Sequence, residues 1–175
     1  MSAIQGVVWV SRAAIGLIVL VSMCGISQAQ AKLDPIRWSI DTDISRASFK
    51  PGEKLTIQVT AKMDDGWHLY SLEQEAGGPI PTRIRLPEDQ PFKLADTIDS
   101  PAPRVEMDPN FNMETQFFEE EVTFSLPLVI AAGTPAGKHE LKINVTYQTC
   151  TATKCLPPKL VKLVAEVTIA AAPTE

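Results

Sequence analysis

The sequence predicts an all-β domain, an antiparallel β-sandwich of immunoglobulin-like architecture. Three observations predict it. Apolar and polar residues alternate with a period of two in four long segments. Clusters of Gly, Pro, Asp and Thr punctuate the chain between them. No segment carries a sustained 3.6-residue apolar stripe, and 14 prolines in 175 residues, above the usual ~5%, disfavour an all-helical chain.

The elements follow in chain order. Arg12 precedes the uncharged run Ala13–Met23, too short for the ~20 residues of a membrane span and suited to the hydrophobic region of a signal peptide. Ala29-Gln30-Ala31 then offers a cleavage site, with Ser27-Gln28-Ala29 a second. Residues 1–31 are therefore expected to be a cleaved leader, and 32–175 one exported, soluble domain in an oxidising compartment, with no membrane insertion. An uncleaved anchor and a lipidated Cys24 are the alternatives, although Met23 is a poor residue ahead of a lipidated cysteine. Without the leader, 16 − 1 = 15 basic residues face 21 acidic ones. That balance, with no basic cluster, argues against nucleic acid or anionic lipid as main partner.

Leu55, Ile57, Val59 and Ala61 alternate with polar neighbours; so do Val122, Phe124, Leu126, Leu128 and Ile130. Leu141, Ile143, Val145 and Tyr147 repeat the pattern, as do Val161, Leu163, Ala165, Val167 and Ile169. Ile36–Ile40, Trp67–Tyr70 and Thr82–Leu86 are shorter strand candidates. Asp99–Thr115, with Pro101, Pro103, Pro109, Asn110 and Asn112, reads as a long irregular loop, a kind of segment that is often functional. It holds Phe111 among polar neighbours, which composition alone tucks under the loop as a satellite of the core.

With Cys24 in the leader, Cys150 and Cys155 remain. The first closes one predicted strand and the second precedes the last, so a bridge at that strand connection is easy. Three readings stay open. A structural bond closing about six residues gives only roughly 2 kcal/mol by the loop-entropy estimate. A redox bond suits that weakness. A metal site would need further ligands from His68, His139, Met107 or Met113, none in a recognised spacing. Lys154 is placed to favour a thiolate at Cys155, and no other activating group is near in sequence.

Taken together, Tyr147-Gln148-Thr149-Cys150 and Cys155-Leu156-Pro157-Pro158, with Asp65-Gly66-Trp67-His68-Leu69-Tyr70 upstream, resemble the amino-terminal periplasmic domain of the thiol:disulfide interchange protein DsbD. The likeness runs from about Trp38 to Ile169. The segment from Phe117 to Ile130 resembles that family's following strand, and Phe111 falls where the family carries the aromatic of its cap loop.

The resemblance implies an immunoglobulin-like fold with one redox-active pair, Cys150 and Cys155, and no cofactor. Cys155 would be the attacking thiol. Phe111 and Asn110 would lie in the cap loop shielding the pair. Tyr70 and His68 would border the site, and Pro157 would fix the chain after Cys155. The implied partners are a membrane-embedded thiol donor, met in trans because the chain ends after this domain, and periplasmic acceptors: thioredoxin-like proteins, disulfide isomerases and cytochrome c maturation factors. Pro109-Asn110-Phe111-Asn112 departs from the family pattern in lacking its acidic and second aromatic residues, with only Asp108 nearby. The competing function is a secreted binding module whose disulfide is structural.

Overall fold

The computed structural model describes residues 34–42 and 48–171; the leader expected over 1–31 lies outside them. Twelve strands are described: β1 (Ile36–Thr42), β2 (Lys54–Met63), β3 (His68–Tyr70), β4 (Arg83–Arg85), β5 (Phe92–Leu94), β6 (Arg104–Asp108), β7 (Met113–Glu119), β8 (Glu121–Ile130), β9 (Gly137–Tyr147), β10 (Thr149–Thr151), β11 (Lys154–Cys155) and β12 (Lys159–Ile169). Among the described residues there is no helix. The strands form an antiparallel sandwich of immunoglobulin-like type, within one compact unit that begins at Asp34.

Two sheets make the body: β1-β2-β8-β5 and β12-β9-β4. The alternation read from the sequence is what packs them. In β2 the buried set is Leu55, Ile57, Val59, Ala61 and Met63; in β8 it is Val122, Phe124, Leu126, Leu128 and Ile130. These meet Leu141, Ile143, Val145 and Tyr147 of β9 and Val167 and Ile169 of β12 in one apolar cluster. A one-residue slip in any of these strands would turn its buried set to solvent, so each register is strongly specified.

A third sheet, β11-β10-β3-β7-β6, carries the cysteines. Both of its long neighbours feed it. β9 resumes after Gln148 as β10, and β7 gives way to β8 at Glu120, whose φ of 60° breaks the strand. What the sequence suggests is one strand from Phe117 to Ile130 is thus two, in different sheets. Leu69 of β3 and Phe118 of β7, directly paired, face the main core. Their neighbours Tyr70 and Phe117, also paired, point to the opposite face. The sheet is therefore anchored through one face and free to build a second cluster on the other.

The irregular loop expected over Asp99–Thr115 is corrected. Its second half is the hairpin β6–β7, joined by a four-residue turn, Pro109 to Asn112, in which Asn112 takes a left-handed φ of 53°. Asn tolerates that conformation better than most residues.

Candidate functional site

The cysteine pair sits in a two-strand hairpin of its own, not at a junction between long strands. Cys150 of β10 is directly opposite Cys155 of β11, and the two are joined by a disulfide with Cα atoms 4.0 Å apart. The Leu156 N–H donates to the Thr149 carbonyl. That makes Thr149 and Leu156 the hydrogen-bonded pair and leaves the cysteines at a non-hydrogen-bonded position, where facing Cα atoms come closest.

On its other edge β10 pairs with β3, so Cys150 faces His68 and Thr149 faces Leu69. The Thr149 hydroxyl locks this junction by donating to the His68 carbonyl at 2.7 Å. The turn Asp64–Trp67, closed by the Trp67 N–H on the Asp64 carbonyl with Gly66 at φ 77°, delivers β3 to that position.

Around the pair lies an apolar cluster separate from the main core: Tyr70, Phe117 and Cys150, with Phe111 and Cys155 partly buried against them. Cys150 is 0% exposed, whereas Cys155 is half-buried. The two cysteines therefore differ in exposure. The Phe111 ring stands edge-on to Tyr70, centroids 5.9 Å apart, and His68 packs against both Tyr70 (5.1 Å) and Phe117 (4.8 Å).

One polar residue organises this cluster. Asp108, 3% exposed, accepts from the Tyr70 hydroxyl at 2.6 Å, from the Asn110 backbone N–H at 2.8 Å and from Asn110 Nδ2 at 3.1 Å. Its carbonyl accepts from the N–H groups of Phe111 and Asn112. Asn110 Nδ2 also donates to the Thr151 carbonyl at 2.9 Å, tying the turn across to the cysteine hairpin.

Burial raises the Asp108 pKa, but the hydrogen bonds from Tyr70 and Asn110 outweigh it and hold the carboxyl below its ordinary 3.8. The Tyr70 hydroxyl is pushed well above 10 by burial and by its bond to that carboxylate. Burial lowers the His68 pKa below 6.5, against the opposing pull of Asp108 and Glu119.

The structure brings His68, Tyr70, Asn110, Phe111, Cys150 and Cys155 together. Pro157 stands apart from this cluster, exposed in the link between β11 and β12. Lys154 departs from the sequence reading. Its ammonium lies over the Trp67 ring, 5.3 Å from the centroid, because neighbours along a strand point to opposite faces. His139, on β9, hydrogen-bonds the Pro135 carbonyl, and Met107 is 64% exposed. Among the described residues no three His, Cys, Asp or Glu side chains gather as a ligand set.

The family model for the amino-terminal part of the thiol:disulfide interchange protein DsbD matches residues 40–165. The chain belongs to the DsbD N-terminal domain family. Among solved structures, the N-terminal periplasmic domain of ScsB from Proteus mirabilis is similar at 14% identity and TM-score 0.52, over 79% of this chain and 48% of that one. The reduced DsbD N-terminal domain of Neisseria meningitidis is 15% identical at TM-score 0.46, over 69% of this chain and 80% of that one. No curated protein sequence matches significantly. Membership in the DsbD N-terminal family and the Cys150–Cys155 disulfide support a thiol–disulfide interchange role.

Sequence reasoning missed two residues of this DsbD-family site. Asp108 was legible only as the one acidic residue beside the cap-loop segment, since its burial depends on Tyr70, 38 positions away. Phe117 was read as strand without a side, because adjacent Phe117 and Phe118 give no alternation to assign faces.

Proposed function

We propose that the domain is a periplasmic thiol–disulfide interchange protein. In this reading Cys150 and Cys155 carry reducing equivalents from a membrane-embedded thiol donor to thioredoxin-like or disulfide-isomerase proteins. The observation that carries the reading is the asymmetry of the pair: a hairpin disulfide outside the main core, with Cys150 fully buried and Cys155 only half-buried. Exchange proceeds by thiolate attack along the S–S axis, so the reachable sulfur meets the partner.

In the reduced protein the Cys155 thiolate attacks a partner disulfide, forming a mixed disulfide and releasing one partner thiolate. Cys150 then attacks Cys155, restoring the intramolecular bond and releasing the second partner sulfur. Two electrons and two protons reach the partner. Phe111 acts as a lid on this chemistry, and Asn110 latches the lid to the hairpin. Family membership and the leader expected over residues 1–31 support the compartment.

The test is capture in the periplasm. With Cys150→Ala, Cys155 has no resolving thiol, and a covalent adduct with a thiol partner should accumulate. Cys155→Ala should trap far less. If neither variant traps a partner, the relay reading fails.

A further inference from the structure

The His68 side chain is 11% exposed, and its Nε2 is buried without a hydrogen-bond partner. Burial at that level normally requires satisfaction of each polar atom. His68 is also the direct cross-strand neighbour of Cys150, and Cβ atoms of such pairs lie about 4.5–5.5 Å apart. Asp108 Oδ2 stands 3.9 Å from Nε2, beyond hydrogen-bond length yet within ion-pair reach. The titratable and charged groups facing the ring are thus Asp108 from β6, Glu119 directly opposite on β7, Tyr70 on its own strand, and Cys150 on β10.

We infer that His68 is the proton acceptor for the buried thiol Cys150 in the resolving step of exchange, with Asp108 as the positioning residue that stabilises the resulting imidazolium. The assignment rests on the interchange reading and adds to it the group that activates the second sulfur. Cys150 needs such a group. A fully buried thiol has its thiolate disfavoured, and solvent cannot reach it.

From the mixed disulfide, the Cys150 Sγ proton moves to His68 Nε2. The thiolate electron pair forms the bond to Cys155 Sγ. The Cys155–partner S–S bond breaks, and its pair leaves on the partner sulfur as thiolate. His68 then returns the proton to that thiolate or to water. In reverse, when a donor thiol reduces the domain, the imidazolium protonates Cys150 as it leaves. The competent form is the neutral ring, populated above its pKa; burial keeps that value below 6.5, so the ring is ready at neutral pH.

The test is stopped-flow reaction of the reduced protein with the aromatic disulfide dithiobis-nitrobenzoate, which releases one coloured thiolate on attack by Cys155 and a second on resolution by Cys150. In the wild type the second, concentration-independent phase should rise with pH, inflect below 6.5 and level off. In His68→Gln the first phase should persist, while the second slows on the order of a hundredfold at neutral pH and loses the inflection. In Asp108→Asn the inflection should move to lower pH, because the carboxylate that favours the imidazolium is gone; this arm decides the matter if His68→Gln does not fold. A wild-type second phase that climbs without inflection, a His68→Gln rate within twofold of wild type, or an inflection unmoved in Asp108→Asn overturns the assignment and leaves interchange standing. If wild type shows no second phase at all, the interchange reading falls and this one with it.

Discussion

Reducing the Cys150–Cys155 bond should cost the fold little, and the amount follows from where the bond sits. The cysteines are five positions apart and close a loop of about six residues. The chain-entropy relation gives roughly 2.1 + 1.5R ln 6, about 7.4 cal/mol/K, or about 2.2 kcal/mol at 25 °C. Little needs adding for packing. Cys150 belongs to the small cluster with Tyr70 and Phe117, none of which is in the cluster that joins the two main sheets, and a reduced Cys150 stays buried there. Urea unfolding of oxidised and reduced protein should therefore differ by about 2 kcal/mol, a midpoint shift near 1 M for a slope of about 2 kcal/mol/M. By linkage, folding should make the pair only about 45 mV harder to reduce than in the unfolded chain, taking 30 mV as about 1.4 kcal/mol. Equilibration in glutathione buffers reads that directly. A stability difference of about 5 kcal/mol, or a potential below about −300 mV, would refute the argument and mark a structural bond.

Phe111→Ala should speed alkylation of the reduced pair by about tenfold or more, while the loss of a half-buried ring costs only about 1–2 kcal/mol in urea unfolding; unchanged alkylation would return Phe111 to ordinary packing. Tyr70→Phe removes the hydroxyl that donates to Asp108 at 2.6 Å and should cost about 2 kcal/mol, since it leaves a buried carboxylate short of one donor. Stability should also fall on acidification. As pH drops through 6.5 the unfolded His68 takes a proton that the folded ring, with its lowered pKa, resists, so the unfolded state binds more protons and gains. That loss is complete once pH is below the folded value, Asp108 adds its own below 3.8, and thermal melts of His68→Gln should show a flatter slope just below 6.5.

The body of the sandwich was legible because its strands bury one face. β2, β8 and β9 alternate cleanly, and alternation is the imprint of a half-buried strand. β6 left no imprint, since Arg104 to Met107 are all exposed, with Val105 at 57%. β7 hid for the opposite reason: it buries Phe117 and Phe118 on two faces. Of the site, the residues alone marked the cysteine pair with its nature open, and Phe111, Tyr70 and His68 could be placed there only through the family resemblance. The hub could not, because what makes Asp108 more than a turn residue is tertiary: the Tyr70 hydroxyl beneath it and the turn folded over it.

The separation of the two clusters also sets how such a lid could work. The turn from Pro109 to Asn112 is held internally by Asp108, so it can lift as a unit without losing those bonds. What ties it to the cysteine side is the Asn110–Thr151 hydrogen bond, the edge contact of Phe111 on Tyr70 and, since Asp108 moves with the turn, the Tyr70 hydroxyl on the Asp108 carboxylate. The first is worth about 1 kcal/mol net, the second about 0.5–1.5 kcal/mol beyond area, the third about 2 kcal/mol, and partial exposure of the ring adds about 1 kcal/mol. A total near 5 kcal/mol leaves the turn open in roughly one molecule in five thousand. That population is small enough to protect the sulfurs from adventitious oxidants, and a partner must supply more than about 5 kcal/mol of contact to make the open turn the main form. Opening of this kind leaves Leu69 and Phe118 in the main core, so the third sheet stays anchored while its outer face changes.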